Sequence, residues 1–217
     1  PYILDVGFDG IIGAGGGFVQ MGDEMLYHKK VSDEDVHRVV DFFETNHYDY
    51  YLESNGGLFA SKNLIKRLES IIYGDLKNDP EARRKKEEEP SHFITALIEN
   101  ENMYRNDVNK ISFILSSYQD HLDSKVEFPT LVANTWGGKG EVALYGDLGP
   151  TGITKRHAIE VLMEHLGADF KDTISFGDAK IDLSMFECCA YNVAMGNGGP
   201  EIKEAADYIT TDVNDDG

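Results

Sequence analysis

The sequence predicts an α/β protein: a doubly wound parallel-sheet core divided by an inserted α/β domain. Three observations predict it. From Gly152 onward, strand, helix, strand, helix and strand alternate, the spacing of parallel strands joined by right-handed crossovers. Residues 1–30 read as short strands joined by glycine turns. Between the two lies a stretch that mixes strands and helices without alternation. One Rossmann-like core in two pieces, residues 1–31 and 146–217, is therefore expected to flank an α/β cap insert at 32–145.

The elements follow in order. Ile11-Ile12 and Phe18-Val19 are apolar pieces separated by Gly13, Gly15, Gly16 and Gly17, and Gly22-Asp23 suits a hairpin turn. The GAGGG run matches no dinucleotide or phosphate-loop fingerprint and reads as a turn. Ser32 is the N-cap of a helix, with Asp33 and Glu34 at its positive end, Asp35 three residues after the cap, and Val36, Val39, Val40 and Phe43 at helical spacing. HYDYYLES reads as a strand turned by Asn55-Gly56-Gly57 into LFAS, and KNLIKRLESII as a helix. NDPEARRKKEEEP at 78–90 is a solvated helix or loop, because Glu87–Glu89 neutralise the Arg83–Lys86 run at once. KISFILSS is a strand and YQDHLDSKV a helix. FPTLVANTW and EVALYGD are paired strands across a turn at 137–140.

In the second core piece, TKRHAIEVLMEHLG is an amphipathic helix with Ile159, Leu162, Met163 and Leu166 on one side and Gly167 at its end. Thr173–Phe176 reads as a buried strand and DLSMFECCA as a short helix. YNVAM is a strand, PEIKEAA a helix opened by Pro200, and DYITTD a last strand.

Charge narrows the function. The 217 residues carry 39 acidic and 20 basic side chains, a formal net charge of -19. Such a surface repels nucleic-acid phosphates and anionic lipid, so neither is an expected partner. It would repel a phosphorylated ligand too, unless a metal ion and a lysine mark the site. No apolar run approaches the roughly 20 residues of a membrane span, and PYILDVGFDG does not read as a signal peptide. Cys188 and Cys189 are neighbours, unsuited to a mutual disulfide and without CxxC spacing. Both read as reduced, which points to the cytoplasm. The seven histidines show no zinc-site spacing.

Three segments carry candidate chemistry. In GDAKID, a strand delivers Gly177 and Asp178 at its carboxyl end, where parallel sheets bind ligands, and Asp182 follows four residues on. Two carboxylates so spaced suit a hard cation such as Mg²⁺. They would equally serve to cap the following helix. Lys155 lies in the first turn of its helix, against the dipole, either tied to an anion or simply exposed. Asn197 sits in a Met195–Gly198 turn before a helix whose N-terminus can face an anion; a plain β–α turn is the alternative.

Taken together, GFDGIIGAGGGFVQMGDEMLYHKKV, GITKRHAIEVLMEHLG and ISFGDAKIDLSMFECCAYNVAMGNGGPEIKEAADYITTDVNDDG resemble the Cof-type (subfamily IIB) phosphatases of the haloacid dehalogenase superfamily. The resemblance covers residues 7–31 and 152–217; the intervening stretch matches that family's α/β cap in layout. It implies a Mg²⁺-dependent phosphatase working through an aspartyl-phosphate on small phosphorylated metabolites such as sugar phosphates. It also implies roles for the candidates. Lys155 is a catalytic, phosphate-binding cation, and Asp178 is a metal ligand. Asp182 is a second carboxylate that supports the metal or orients Lys155, and Asn197 is a substrate-side residue near the site.

The chain departs from the family in three respects. The DxDGT-type stretch with the nucleophilic aspartate is missing and is expected upstream of Pro1, with a further helix expected after Gly217. Ile181 stands where the family usually has asparagine, and so does Gly15 beside the pocket. These departures leave two alternatives: a catalytically inactive phosphate-ligand binding or regulatory protein of the same fold, and a phosphomutase. The cap letters name no substrate, and the oligomeric state is open.

Overall fold

The structure is a computed structural model and describes residues 7–135 and 144–217. It divides into two compact units, one made of the described residues up to Lys29 together with Gly152–Gly217, the other of Lys30–Thr151. The first unit opens with an antiparallel meander of β1 (Gly10–Gly13), β2 (Phe18–Met21) and β3 (Glu24–His28). The backbone N–H groups of Gly16 and Gly17 close the first turn by donating to the Gly13 carbonyl at 3.0 and 2.9 Å.

The second unit follows. α1 (Asp33–Thr45) starts at Ser32, whose hydroxyl oxygen accepts the Asp35 N–H at 3.1 Å, and it buries Val36, Val39, Val40 and Phe43. A hairpin of β4 (Tyr50–Ser54) and β5 (Gly57–Ala60) leads to α2 (Leu64–Tyr73), α3 (Pro80–Glu88) and α4 (His92–Thr95). Then come β6 (Leu97–Ile98), β7 (Val108–Leu115), α5 (Tyr118–Glu127), β8 (Leu131–Thr135) and β9 (Leu144–Pro150). The sheet runs β6-β5-β4-β7-β9-β8, antiparallel except for the β5–β6 pair.

The two-residue side-chain period of β7 feeds two cores. Ile111 and Phe113 meet Phe43, Tyr50 and Phe128 on one face, and Ile114 meets Leu64 and Leu68 on the other. The basic run on α3 is spent within the unit. Arg83 and Lys85 donate to backbone carbonyls, Arg84 pairs with Glu81 and Glu88, and Lys86 pairs with Glu69. The turn expected at 137–140 lies outside the described residues. Its flanking strands pair antiparallel, and β9 carries the sheet to Pro150, beyond the boundary drawn from sequence at 145.

The chain then returns to the first unit. α6 (Lys155–Leu166) begins at Thr154, which accepts the His157 N–H at 3.1 Å, and ends on Gly167 in the left-handed conformation. β10 (Ile174–Gly177), α7 (Leu183–Phe186), β11 (Tyr191–Ala194), α8 (Pro200–Glu204) and β12 (Tyr208–Ile209) complete it. The three strands form a parallel sheet in the order β10-β11-β12.

One expectation is corrected here. The run read as a buried strand is an edge strand whose burial alternates: Ser175 and Gly177 are buried, while Ile174 and Phe176 are 56% and 58% exposed. An apolar run reads as buried on both faces, but among the described residues β10 is paired by β11 alone, and Ile174 and Phe176 share an exposed face. The apolar side of α6 is likewise partly open, with Ala158 its one fully buried residue. Among the described residues no helix is long and apolar enough to cross a membrane.

Candidate functional site

The three parallel strands end together at their carboxyl edge. Gly177 of β10 pairs with Ala194 of β11, which pairs with Ile209 of β12. The loops leaving this edge carry Asp178, Asn197 and Thr211. They are stitched by backbone hydrogen bonds: Met195 N–H to Gly177 O at 2.9 Å and Gly196 N–H to Thr211 O at 3.0 Å. Glycines permit this approach. A Cβ on Gly196 would lie 2.5 Å from the Thr211 backbone, and one on Gly198 would lie 3.0 Å from the Asp178 carbonyl oxygen.

Asp182 is the hub. It is buried, and its Cβ packs where a side chain on Gly177 would be, 2.7 Å from the position of a Gly177 Cβ. One carboxylate oxygen, Oδ1, accepts the Lys155 ammonium at 2.5 Å. The other, Oδ2, accepts the backbone N–H groups of Asp178 and Ala179 at 3.3 and 3.2 Å. Burial alone would raise its pKa, but the Lys155 hydrogen bond, the Ala179 and Asp178 N–H groups and the lysine charge outweigh it and hold the carboxyl below its ordinary 3.8. Asp182 thus caps the turn after β10 and anchors Lys155 at once.

Asp178 stands at the carboxyl end of β10 with its side chain exposed. Its carboxylate makes no hydrogen bond or ion pair among the described residues, and that leaves it able to take an external partner. Asn197 is also exposed, and its side-chain oxygen accepts the Val213 N–H at 3.2 Å. Among the described residues it makes no hydrogen bond to Lys155, Asp178 or Asp182. Of the residues singled out from sequence, Lys155 and Asp182 are in contact, Asp178 joins them through its own backbone N–H, and Asn197 braces the neighbouring loop.

Lys155 also lines a cleft of about 470 Å³ with Gly15, Gly16, Ile12, Ile159 and Ile181. The Ile181 side chain is 70% exposed there and offers no polar atom. As a metal seat the arrangement is partial but chemically apt. Asp178 presents one free carboxylate, and Mg²⁺ is held through one or two carboxylates plus phosphate oxygens and water. No three His, Cys, Asp or Glu side chains converge on one point among the described residues. Cys188 and Cys189 are free and buried, and burial, with the neighbouring thiol, pushes Cys188 up to about 11.

Sequence reasoning missed the supports behind this site. Ser175 Oγ donates to the Asn192 side-chain oxygen at 2.6 Å, and the Asn192 amide donates to the Phe186 carbonyl at 3.1 Å. This buried pair ties β10 to β11 and to the end of α7. A serine and an asparagine inside two otherwise apolar strands were the only sequence signal.

Comparison with known proteins agrees with this fold. The profile of haloacid dehalogenase-like hydrolases matches residues 1–217. A putative phosphatase of Bacillus subtilis, YkrA, is 45% identical over 71 residues, 33% of this chain and 28% of its own length. The chain is thus matched to under a third of that relative. The solved structure of a subclass IIB sugar phosphatase, BT4131, has a TM-score of 0.66 at 22% identity, and the match covers 100% of this chain and 75% of that one. A hypothetical protein of Geobacillus kaustophilus gives 0.75 at 20%, covering 100% and 76%. At these identities the solved structures speak for the fold.

Proposed function

Because the chain belongs to the haloacid dehalogenase-like hydrolase family, we propose that the protein carrying it is a Mg²⁺-dependent phosphatase acting through an aspartyl-phosphate on small phosphorylated metabolites such as sugar phosphates. The observation that carries this reading is the Asp182 carboxylate. It holds Lys155 and the backbone of Asp178 together at the carboxyl edge of a parallel sheet.

The residues divide the work. Lys155 places a cation against the phosphoryl oxygens, an interaction that strengthens as negative charge spreads over them. Asp182 orients that ammonium, so of its two expected roles the orienting one is favoured: both its oxygens are already engaged. Asp178 offers its free carboxylate to the metal. When bound, Mg²⁺ would neutralise charge on the transferring group. The nucleophile is a carboxylate from a segment outside residues 1–217. The exposed Ile174 and Phe176 of β10, which only β11 pairs among the described residues, support that, as does the greater length of the matched solved chain. Splitting hydrolysis into transfer to that carboxylate and release to water makes two easier steps from one hard one. The Lys30–Thr151 unit acts as a cap that selects the substrate. The two free cysteines support a cytoplasmic setting.

The test is hydrolysis of p-nitrophenyl phosphate by the full-length protein with Mg²⁺. Asp178→Ala is expected to lower the rate by about 10²–10³-fold, and an unchanged rate would sink the proposal. Exposed, apolar Ile181 favours one second reading, a phosphate-ligand binding protein without turnover. Saturable phosphate binding with no hydrolysis would select it. Product analysis with a hexose phosphate separates hydrolysis from a mutase.

A further inference from the structure

The turn between β1 and β2 touches the helix that carries Lys155. Gly16 lies at φ +104. A Cβ there would stand 2.5 Å from the Thr154 carbonyl oxygen, 2.7 Å from its carbon and 2.9 Å from the Lys155 nitrogen. All three are backbone atoms, so no change of rotamer would relieve the clash. The turn itself is tied by the Gly16 and Gly17 N–H groups, and Lys29 N–H donates to Gly17 O at 2.7 Å. A second brace comes from β3, where the Tyr27 ring meets the His157 ring edge-on at 4.9 Å. The meander therefore supports the first turn of α6 at two points. From that turn the Lys155 side chain reaches Asp182.

We propose that Gly16 is a positioning residue for Lys155: its bare Cα seats the Thr154–Lys155 backbone and so sets where the ammonium stands against a phosphoryl oxygen. This inference rests on the phosphate-binding reading of Lys155. The left-handed conformation and the backbone approach are separate demands, and both exclude any side chain at this position. A lysine ammonium is a compact point charge, so its displacement translates directly into lost phosphate affinity.

The experiment measures the affinity of the full-length protein for inorganic phosphate by calorimetry, with thermal denaturation alongside. Gly22→Ala is the matched control, because Gly22 also has positive φ (51°) but faces open space in the next turn. Lys155→Ala is expected to weaken phosphate binding by roughly 100-fold and Gly16→Ala by roughly tenfold. The double variant should bind no more weakly than Lys155→Ala alone, since a residue that acts through another is not additive with it. Gly22→Ala, strained by its positive φ alone, should also lower the melting temperature yet leave phosphate affinity within about twofold.

Normal binding by Gly16→Ala, or a full additive loss in the double variant, overturns the proposal while the reading of Lys155 stands. Normal binding by Lys155→Ala overturns that reading itself. Should Gly16→Ala fail to fold, Gly17→Ala presses only on Ile153 Cδ1, at 3.2 Å, and on Ala14, at 3.0 Å. It should weaken phosphate binding by about threefold, again only where Lys155 is present.

Discussion

In the Lys30–Thr151 unit, Phe43, Tyr50, Phe113 and Phe128 pack ring to ring in a core that α1 and β7 share, and each is at most 1% exposed. In the unit that carries Lys155, Asp178 and Asp182, the buried apolar cluster among the described residues is Phe186, Ala194 and Ile202. There Ile174, Phe176, Tyr208 and Ile209 are each 46–58% exposed. The Lys30–Thr151 unit is held by burial of apolar area, worth about 25 cal/mol per Å². The unit with Lys155 relies more on polar ties that are strong only when partners are exact in place: Lys155 with Asp182, Ser175 with Asn192, and Gly196 with the Thr211 carbonyl. A site built at the open edge of a sheet cannot be sealed in oil, because its charged groups must meet a ligand. Close backbone contacts and charge-assisted hydrogen bonds do the positioning instead.

The sharpest way to break this comparison is to make the same change in both units of the 217-residue chain. Phe43→Ala should cost about 3–5 kcal/mol of stability in denaturant melts, the usual loss for a fully buried ring. Asp182→Asn comes next, leaving the partly buried Lys155 ammonium without its anionic partner, and it should cost about 1.5–3 kcal/mol at neutral pH.

That second loss carries a pH signature. The folded-state carboxyl lies below its ordinary 3.8, so its contribution is present above that pH and is lost as pH falls through the folded value. The stability curves of the chain and of Asp182→Asn should converge below pH 3.8; a constant gap down to the lowest pH would break the assignment. Phe176→Ala should cost under about 1 kcal/mol in the same chain, because the ring is already 58% exposed. A loss there equal to that of Phe43→Ala would erase the contrast between the units. In a full-length protein that covers the β10 edge the loss should grow, and that growth is the measurement which sharpens the comparison. Smallest of all, Arg84→Ala on α3 should change stability by no more than about 0.5 kcal/mol, because both its ion pairs, to Glu81 and Glu88, are exposed.

Much of this was legible in the letters. Ser32 with Val36, Val39, Val40 and Phe43 spelled α1, because cap chemistry and the 3.6-residue period are local. The Gly22-Asp23 turn, the Asn55–Gly57 turn and Pro200 at the start of α8 were legible for the same reason. Lys155, Asp178 and Asp182 stood out by position at element ends. The openness of β10 was not legible, since apolarity says what a residue prefers and not which neighbours arrive to cover it. Nor was the extension of β9 to Pro150, which is set by pairing with β7 and β8, strands whose register is a matter of long-range contact.

The sequence by itself determined the alternation of elements, the net charge of -19, and the presence of a lysine and two aspartates with site-like spacing. Only the tertiary structure decided which contacts those three make: Asp182 spends both oxygens on Lys155 and the turn, and the Asp178 carboxylate has no partner among the described residues. It alone disclosed that the glycine run at 13–17 seats the Lys155 helix. The physical reason is range. Caps, turns and periodicity act within a few residues, whereas a 2.5 Å ion pair across 27 residues, or a Cα resting on a backbone 138 residues later (16 to 154), exists only after the chain has closed on itself.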